Sequence, residues 1–313
     1  MRKNIVTTVK WLCLSFLFVG LGLSGCRSVD KPLAKGLHIK TSFYPVYALT
    51  KEISGDYNQI DLMVKTVSIH SYEPSPNVVA RTYDADIFIY HSNILESWAA
   101  DLAPQLRKKG VLVLEGAAHL PLERVQGLEK VPLKKGMSAN ALNDPHTWTD
   151  PLLASQEADA IATLLAKKDP DHKEYYLKNA KRFKLKAQKL VERYQAKFAS
   201  LPRHTFVTQH TAFSYLAKRF GLTQLGIAGV SPEQEPSPQQ LADMKRFIER
   251  YGVKTILMEE NVSGKLAKTL AKSSGISVRQ LSPLEIAPDN QKSYLDNLEM
   301  NLAVLYDVLE KEK

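Results

Sequence analysis

Past an apolar start, the chain alternates short apolar runs of strand length with longer stretches of helical periodicity. Residues 37–42, 60–66, 86–90 and 111–114 read as strands, with helices at 45–54, after Ser75-Pro76, and at 94–109. The second half repeats the alternation: strands at 205–208, 225–228, 254–258 and 277–281, and helices at 212–220, 237–251, 264–274 and 293–311. Between the halves lie a helix at 152–167 and a longer one opened by Asp169-Pro170, a polar cap followed by a proline fit for a first turn. In that long helix Tyr176, Phe183, Ala187, Leu190, Tyr194 and Phe198 recur at spacings of 7, 4, 3, 4 and 4, one apolar face running to about residue 199. At about 1.5 Å per residue it spans roughly 45 Å, enough to join two bodies. The pattern predicts an α/β protein: two (β/α) lobes with parallel-type sheets, 37–167 and 201–313, joined by one rigid helix at 168–200. Residues 115–142 show no period, and a loop of that length is usually functional or mobile.

The first residues change the picture. Arg2, Lys3 and Lys10 precede an apolar run from Trp11 to Leu23, too short for a membrane span, which ends in Leu23-Ser24-Gly25-Cys26. This resembles a bacterial lipoprotein signal, with 1–25 removed, Cys26 lipidated and 26–36 left as a polar tether. The only cysteines are Cys13 and Cys26, so the mature chain has neither an intramolecular disulfide nor a thiolate metal site. Loss of three basic and no acidic residues with the signal lowers the net charge from +9 to +6. That excess is spread over helices and is not interleaved with stacking aromatics, which argues against nucleic acid as a partner.

Candidate chemistry gathers just beyond the strands, where open α/β sheets bind their ligands. Asn143-Asp144-Pro145-His146-Thr147-Trp148-Thr149-Asp150-Pro151 sets His146 in a rigid turn at a helix entrance. His70 and His210 follow strands, Glu285 follows the last one, and the gaps between the four are 76, 64 and 75 residues. Each half therefore supplies two groups, and three imidazoles with one carboxylate suit tetrahedral Zn²⁺. His91 also follows a strand, with a ligand role and a supporting role both open. Glu73 reads as a support for the His70 loop, Glu259 and Glu260 as cleft-lining or surface carboxylates, and Tyr44, Tyr72 and Trp148 as shields or core. His38 and His204 read as strand-edge residues, and His172 as a solvated helix residue.

Three segments carry a resemblance: His70-Ser71-Tyr72-Glu73-Pro74-Ser75-Pro76, Asn143-Asp144-Pro145-His146-Thr147-Trp148, and Ser231-Pro232-Glu233-Gln234-Glu235-Pro236-Ser237-Pro238. With the lipid signal and the long helix, they resemble the zinc/manganese solute-binding lipoproteins of ABC importers, most closely the streptococcal zinc-binding lipoproteins also described as laminin-binding adhesins. The resemblance implies one Zn²⁺ per chain at the lobe interface, with His70, His146, His210 and Glu285 as metal ligands. It further implies a monomer on the extracellular face of a Gram-positive membrane, anchored at Cys26, delivering zinc to an ABC permease and also binding laminin. The alternatives are a protein that is chiefly a matrix adhesin, or a manganese-specific member. Manganese-type members carry a carboxylate at the position of His210. Many zinc-type members carry a His-rich loop, whereas 115–142 holds only His119. Relatives often have aspartate where Ser282 precedes Glu285. A zinc hydrolase is disfavoured: four protein donors leave no open metal position, and no His-Glu-x-x-His helix is present.

Overall fold

The computed structural model describes residues 36–125, 142–233, 237–259 and 264–312. The lipid signal with Cys26, most of the 115–142 loop, and Glu260 lie outside them. Leu37–Lys313 form one compact unit. Its first lobe contains β1 (His38–Thr41), α1 (Tyr44–Ser54), β2 (Gln59–Leu62), α2 (Pro76–Thr82), β3 (Ile87–Tyr90), α3 (Ser97–Lys108) and β4 (Leu112–Glu115). Two helices follow, α4 (Pro151–Lys168) and α5 (Lys173–Ala199). The second lobe contains β5 (Thr205–Thr208), α6 (Ser214–Arg219), β6 (Thr223–Gly226), α7 (Pro238–Tyr251), β7 (Thr255–Met258), α8 (Lys265–Ser274) and β8 (Ser277–Gln280). The chain ends in α9 (Tyr294–Lys311).

Each lobe holds a four-stranded parallel sheet, ordered β2-β1-β3-β4 in the first and β6-β5-β7-β8 in the second. The inner strands β3, Ile-Phe-Ile-Tyr, and β7, Thr-Ile-Leu-Met, are buried throughout, as parallel strands covered on both faces must be. The chain reverses its direction of travel between β1 and β3, and again between β5 and β7. Loops diverge at such a switch point and leave a crevice at the strand ends.

One hydrophobic core runs through both lobes. It joins Ile39 and Ile89 of the first sheet to Phe183, Leu190 and Phe198 of α5, and on to Phe206 and Leu257 of the second sheet. Helix α9 turns back onto it through Leu298, Leu302, Leu305 and Leu309, whose 4-3-4 spacing makes one fully buried stripe. Across the halves Tyr294 Oη donates to the Trp148 carbonyl (2.8 Å), Trp148 Nε1 donates to the Pro283 carbonyl (2.8 Å), and Asn297 Nδ2 donates to Tyr44 Oη (3.2 Å).

Several ends differ from the sequence expectation. Strand β2 ends at Leu62 instead of running on to residue 66: Met63 and Val64 make the last bonds to the end of β1, at Thr41 and Ser42, and the chain then leaves the sheet. Strand β6 spans Thr223–Gly226, two residues early, since Thr223 N–H donates to the His204 carbonyl at the mouth of β5. The long helix begins as a separate 3₁₀ turn, Pro170–His172, and the α-helix proper has 27 residues. Of the expected caps, Ser75 Oγ accepts from Val78 N–H (3.4 Å) ahead of Pro76, whereas Asp169 makes no cap bond because its carboxylate accepts from Tyr176 Oη (2.6 Å) and the His172 ring (2.8 Å). A further cap forms at Asp150, whose Oδ1 accepts from Leu152 N–H (2.8 Å) ahead of Pro151.

Since Leu302 is wholly buried where α9 closes the shared core, Leu302→Ala should destabilise the fold by about 2–5 kcal/mol. Denaturant unfolding of the metal-free protein reads this as a lower midpoint with an unchanged slope.

Candidate metal centre

The four sequence candidates reach one point from four loops. His70 sits in a 3₁₀ turn, Ile69–Ser71, after β2, where Ser68 Oγ accepts from the His70 backbone N–H (3.3 Å). His146 opens a second 3₁₀ turn, Thr147–Thr149, which leads into the Asp150 cap of α4. His210 stands just past β5, and Glu285 in the loop between β8 and α9. His146, His210 and Glu285 are buried and His70 nearly so, and one donor atom from each lies within 4.8 Å of all the others.

The separations fit a small ion. Glu285 Oε1 lies 3.2 Å from His70 Nε2, 3.3 Å from His210 Nε2 and 3.7 Å from His146 Nε2, and the His70 and His146 Nε2 atoms are 3.3 Å apart. Donors about 2.0–2.1 Å from a tetrahedral centre stand about 3.3 Å from one another. These donors are nitrogen and hard oxygen without sulfur, a set suited to a borderline divalent ion.

Carboxylates stand behind two of the rings. His146 Nδ1 donates to Asp144 Oδ1 (2.7 Å), which also accepts from the His146 backbone N–H (2.9 Å). His210 Nδ1 donates to Glu259 Oε1. Both contacts put the hydrogen on Nδ1 and turn the Nε2 lone pair inward. His210 Nε2 is buried and faces Glu285 Oε1 at 3.3 Å. Burial alone would depress the His210 imidazole, but Glu259 and then Glu285 more than offset it and push it up to about 10. Burial would likewise raise Glu285, yet hydrogen bonds and charge from His210 and His70 hold it well below the usual carboxylate range. Burial is the main cause of a lowered His146 and of a raised Glu259.

Second-lobe helix α6 grips the His146 loop. Tyr215 Oη donates to the Asp144 carbonyl (2.8 Å), and Arg219 pairs with the buried carboxylate of Asp150 (2.8 Å).

Other candidates fall elsewhere. His91 offers the cluster nothing, since both its ring nitrogens are engaged by Glu157 and by the Pro145–Thr147 turn. Glu73 is exposed, and the His70 turn takes its cap from Ser68 instead. Tyr44 and Trp148 are core, and Tyr72 packs edge-on against Trp98. His38 pairs with Asp61 and His204 bonds the Phe198 carbonyl. His172 stacks on Tyr57, with ring centroids 4.0 Å apart, and is not simply solvated. The sequence reading did not assign the partners Asp144 and Glu259. Asp144 carried a local signal, an acid two residues before a histidine in a Pro turn, whereas Glu259 lies 49 residues from His210 and is joined to it only by the β5-β7 pairing.

Two outcomes follow from this geometry. Glu259→Gln keeps the shape but removes the charge behind His210, and should weaken binding of a divalent transition-metal ion about 10- to 100-fold by competition titration. A cation at His210 Nε2 must displace the proton that Glu259 and Glu285 favour there, so affinity should fall as pH drops from about 7.5 to about 5, about tenfold per unit for each proton displaced. Affinity independent of pH over that range would contradict the donor set.

Comparison with known proteins places the chain. The sequence profile of the family described as periplasmic zinc-uptake complex component A, ZnuA, matches residues 39–308. The high-affinity zinc uptake system protein ZnuA of Bacillus subtilis is 37% identical over 307 residues, 94% of each chain. The zinc-binding lipoprotein AdcA of Streptococcus pneumoniae is 34% identical over 316 residues, and the match spans 99% of this chain but 62% of that longer protein. Among solved structures, the laminin-binding protein Lmb of Streptococcus agalactiae, described as a bifunctional protein with adhesin and metal transporting activity, superposes with a TM-score of 0.81 at 53% identity, covering 88% of this chain and all of that one. On the family match and these identities, the chain belongs to the zinc-uptake complex component A family.

Proposed function

We propose that this protein is an extracellular zinc-binding lipoprotein that captures one Zn²⁺ with His70, His146, His210 and Glu285 and hands it to an ABC permease. The observation that carries the reading is the convergence of three imidazole nitrogens and one carboxylate oxygen, the oxygen 3.2–3.7 Å from the three nitrogens and all four within 4.8 Å of one another, in a buried crevice between the lobes. Four protein donors close a tetrahedral ion and leave no place for an attacking water, which suits cargo holding better than hydrolysis. On this reading 1–25 are a signal peptide, Cys26 carries the lipid, 26–36 are a tether on the outer face of the membrane, and 37–167 and 201–313 are lobes joined through 168–200 in a monomer. Adhesion to laminin is proposed as a second activity on the strength of the 53% identical agalactiae protein.

The test is metal content and competition titration of the Leu37–Lys313 unit and of its His210→Ala and Glu285→Ala variants. One zinc per chain is expected in the parent, with weaker binding in both variants. A parent that holds no stoichiometric zinc would overturn the reading. Loss in His210→Ala alone would remove Glu285 from the ligand set and leave the capture reading standing.

A further inference from the structure

His91 takes none of the four donor places, yet both its ring nitrogens and its backbone N–H are engaged. It follows β3 directly and is wholly buried, its ring edge-on to Phe43 at 6.0 Å and to Trp148 at 5.0 Å. Its Nδ1 lies 3.1 and 3.2 Å from the two carboxylate oxygens of Glu157. Its Nε2 lies 3.0 Å from the Pro145 carbonyl and 3.2 Å from the Thr147 hydroxyl. An ionised Glu157 and the Pro145 carbonyl only accept, so with Nε2–H turned to the closer carbonyl and the Thr147 hydroxyl as a second acceptor, both ring nitrogens donate and the geometry points to an imidazolium balanced by Glu157.

The ring is also fixed from behind. The His91 backbone N–H donates to Glu96 Oε2 (2.7 Å), and its carbonyl accepts from Ala117 N–H (2.9 Å). Glu157 is equally constrained: a Cβ on Gly116 would lie 2.3 Å from its Oε1, so the chain after β4 leaves room for that carboxylate only because residue 116 has no side chain. A buried ion pair is a poor way to gain stability, because apolar residues of similar volume fill such space at no desolvation cost. What this pair does, and apolar residues would not, is hold two polar groups of one turn. Those groups, on Pro145 and Thr147, flank His146 on both sides.

We propose that His91 is a positioning residue for the metal site: its imidazolium, balanced by Glu157, grips the Pro145 carbonyl and the Thr147 hydroxyl and so sets the aim of His146 Nε2. Asp144 fixes the rotation of the His146 ring, and His91 fixes the backbone that carries it. This inference rests on the zinc-binding reading above.

The experiment compares the Leu37–Lys313 unit with His91→Phe, which keeps a ring but removes both donors, and with Gly116→Ala, which keeps every polar group but displaces Glu157. Leu302→Ala, a core change remote from the turn, serves as the control for stability loss alone. Zinc affinity by competition and the visible spectrum of the Co²⁺-loaded protein are read together, with ¹⁵N NMR of the histidine rings in the metal-free parent. Both test variants should bind zinc about 10- to 100-fold more weakly and shift the Co²⁺ bands, while the control leaves affinity and bands in place. The parent should show His91 protonated on both nitrogens at neutral pH. Parent-like zinc affinity and Co²⁺ bands in His91→Phe, or a singly protonated His91 in the parent, would overturn the proposal. Should His91→Phe not fold, Gly116→Ala and the ring NMR decide in the same sense. A parent that takes up neither zinc nor cobalt would sink the zinc reading and this inference together, whereas a binding parent with unaffected variants sinks this inference alone.

Discussion

Three imidazole nitrogens and a carboxylate oxygen turned toward one another, all within 4.8 Å, form an arrangement that only positive charge makes stable. Lone pairs at that distance repel, and burial strips away the water that would otherwise screen them. Protons relieve the repulsion in part, which is why His210 is pushed up and Glu285 down. A divalent ion relieves it in full. Asp144 and Glu259, behind the rings, bias the competition by accepting hydrogens on the outer nitrogens and leaving the inner ones to the ion.

The fold's task is to bring four loops to that point and keep them there. Strands of four residues are short levers, and the switch points between β1 and β3 and between β5 and β7 open crevices in both lobes. Past one crevice stand Ser42 and His91, and past the other His210 and Glu259, so the two sheets use corresponding ends for different purposes. The shared core through α5 and α9 fixes the crevices relative to each other, and the Trp148, Tyr215 and Arg219 contacts lace the His146 loop to the second lobe.

Much of this could be read from local pattern. The strand–helix alternation, the Ser75-Pro76 and Asp150-Pro151 helix entrances and the segments around His70 and His146 each carry a signal within a few positions, while His210 and Glu285 stand out only by following strands. What stayed hidden depends on pairing between distant segments. The end of β2 is set by where its ladder to β1 runs out, and the shift of β6 by its bond to the mouth of β5, neither of which a run of apolar residues encodes. Glu259 behind His210 and Glu157 behind His91 are joined to them only through the fold. Glu157 did leave a trace: it interrupts the apolar face made by Ala154, Ala158 and Ile161, and a charged residue on such a face needs a buried partner.

Leu284 is the only described residue other than glycine with a positive φ, at 58°, and its side chain is buried against the shared core. The left-handed backbone costs a leucine about 1–2 kcal/mol, which the burial offsets. The main chain that presents Glu285 is therefore clamped rather than adjustable. Replacing that glutamate by the shorter aspartate would withdraw the oxygen by one bond length, and the backbone could not advance to make up the gap. On the proposed ligand set, the place of the carboxylate oxygen at this corner is thus fixed by side-chain reach rather than by backbone adjustment.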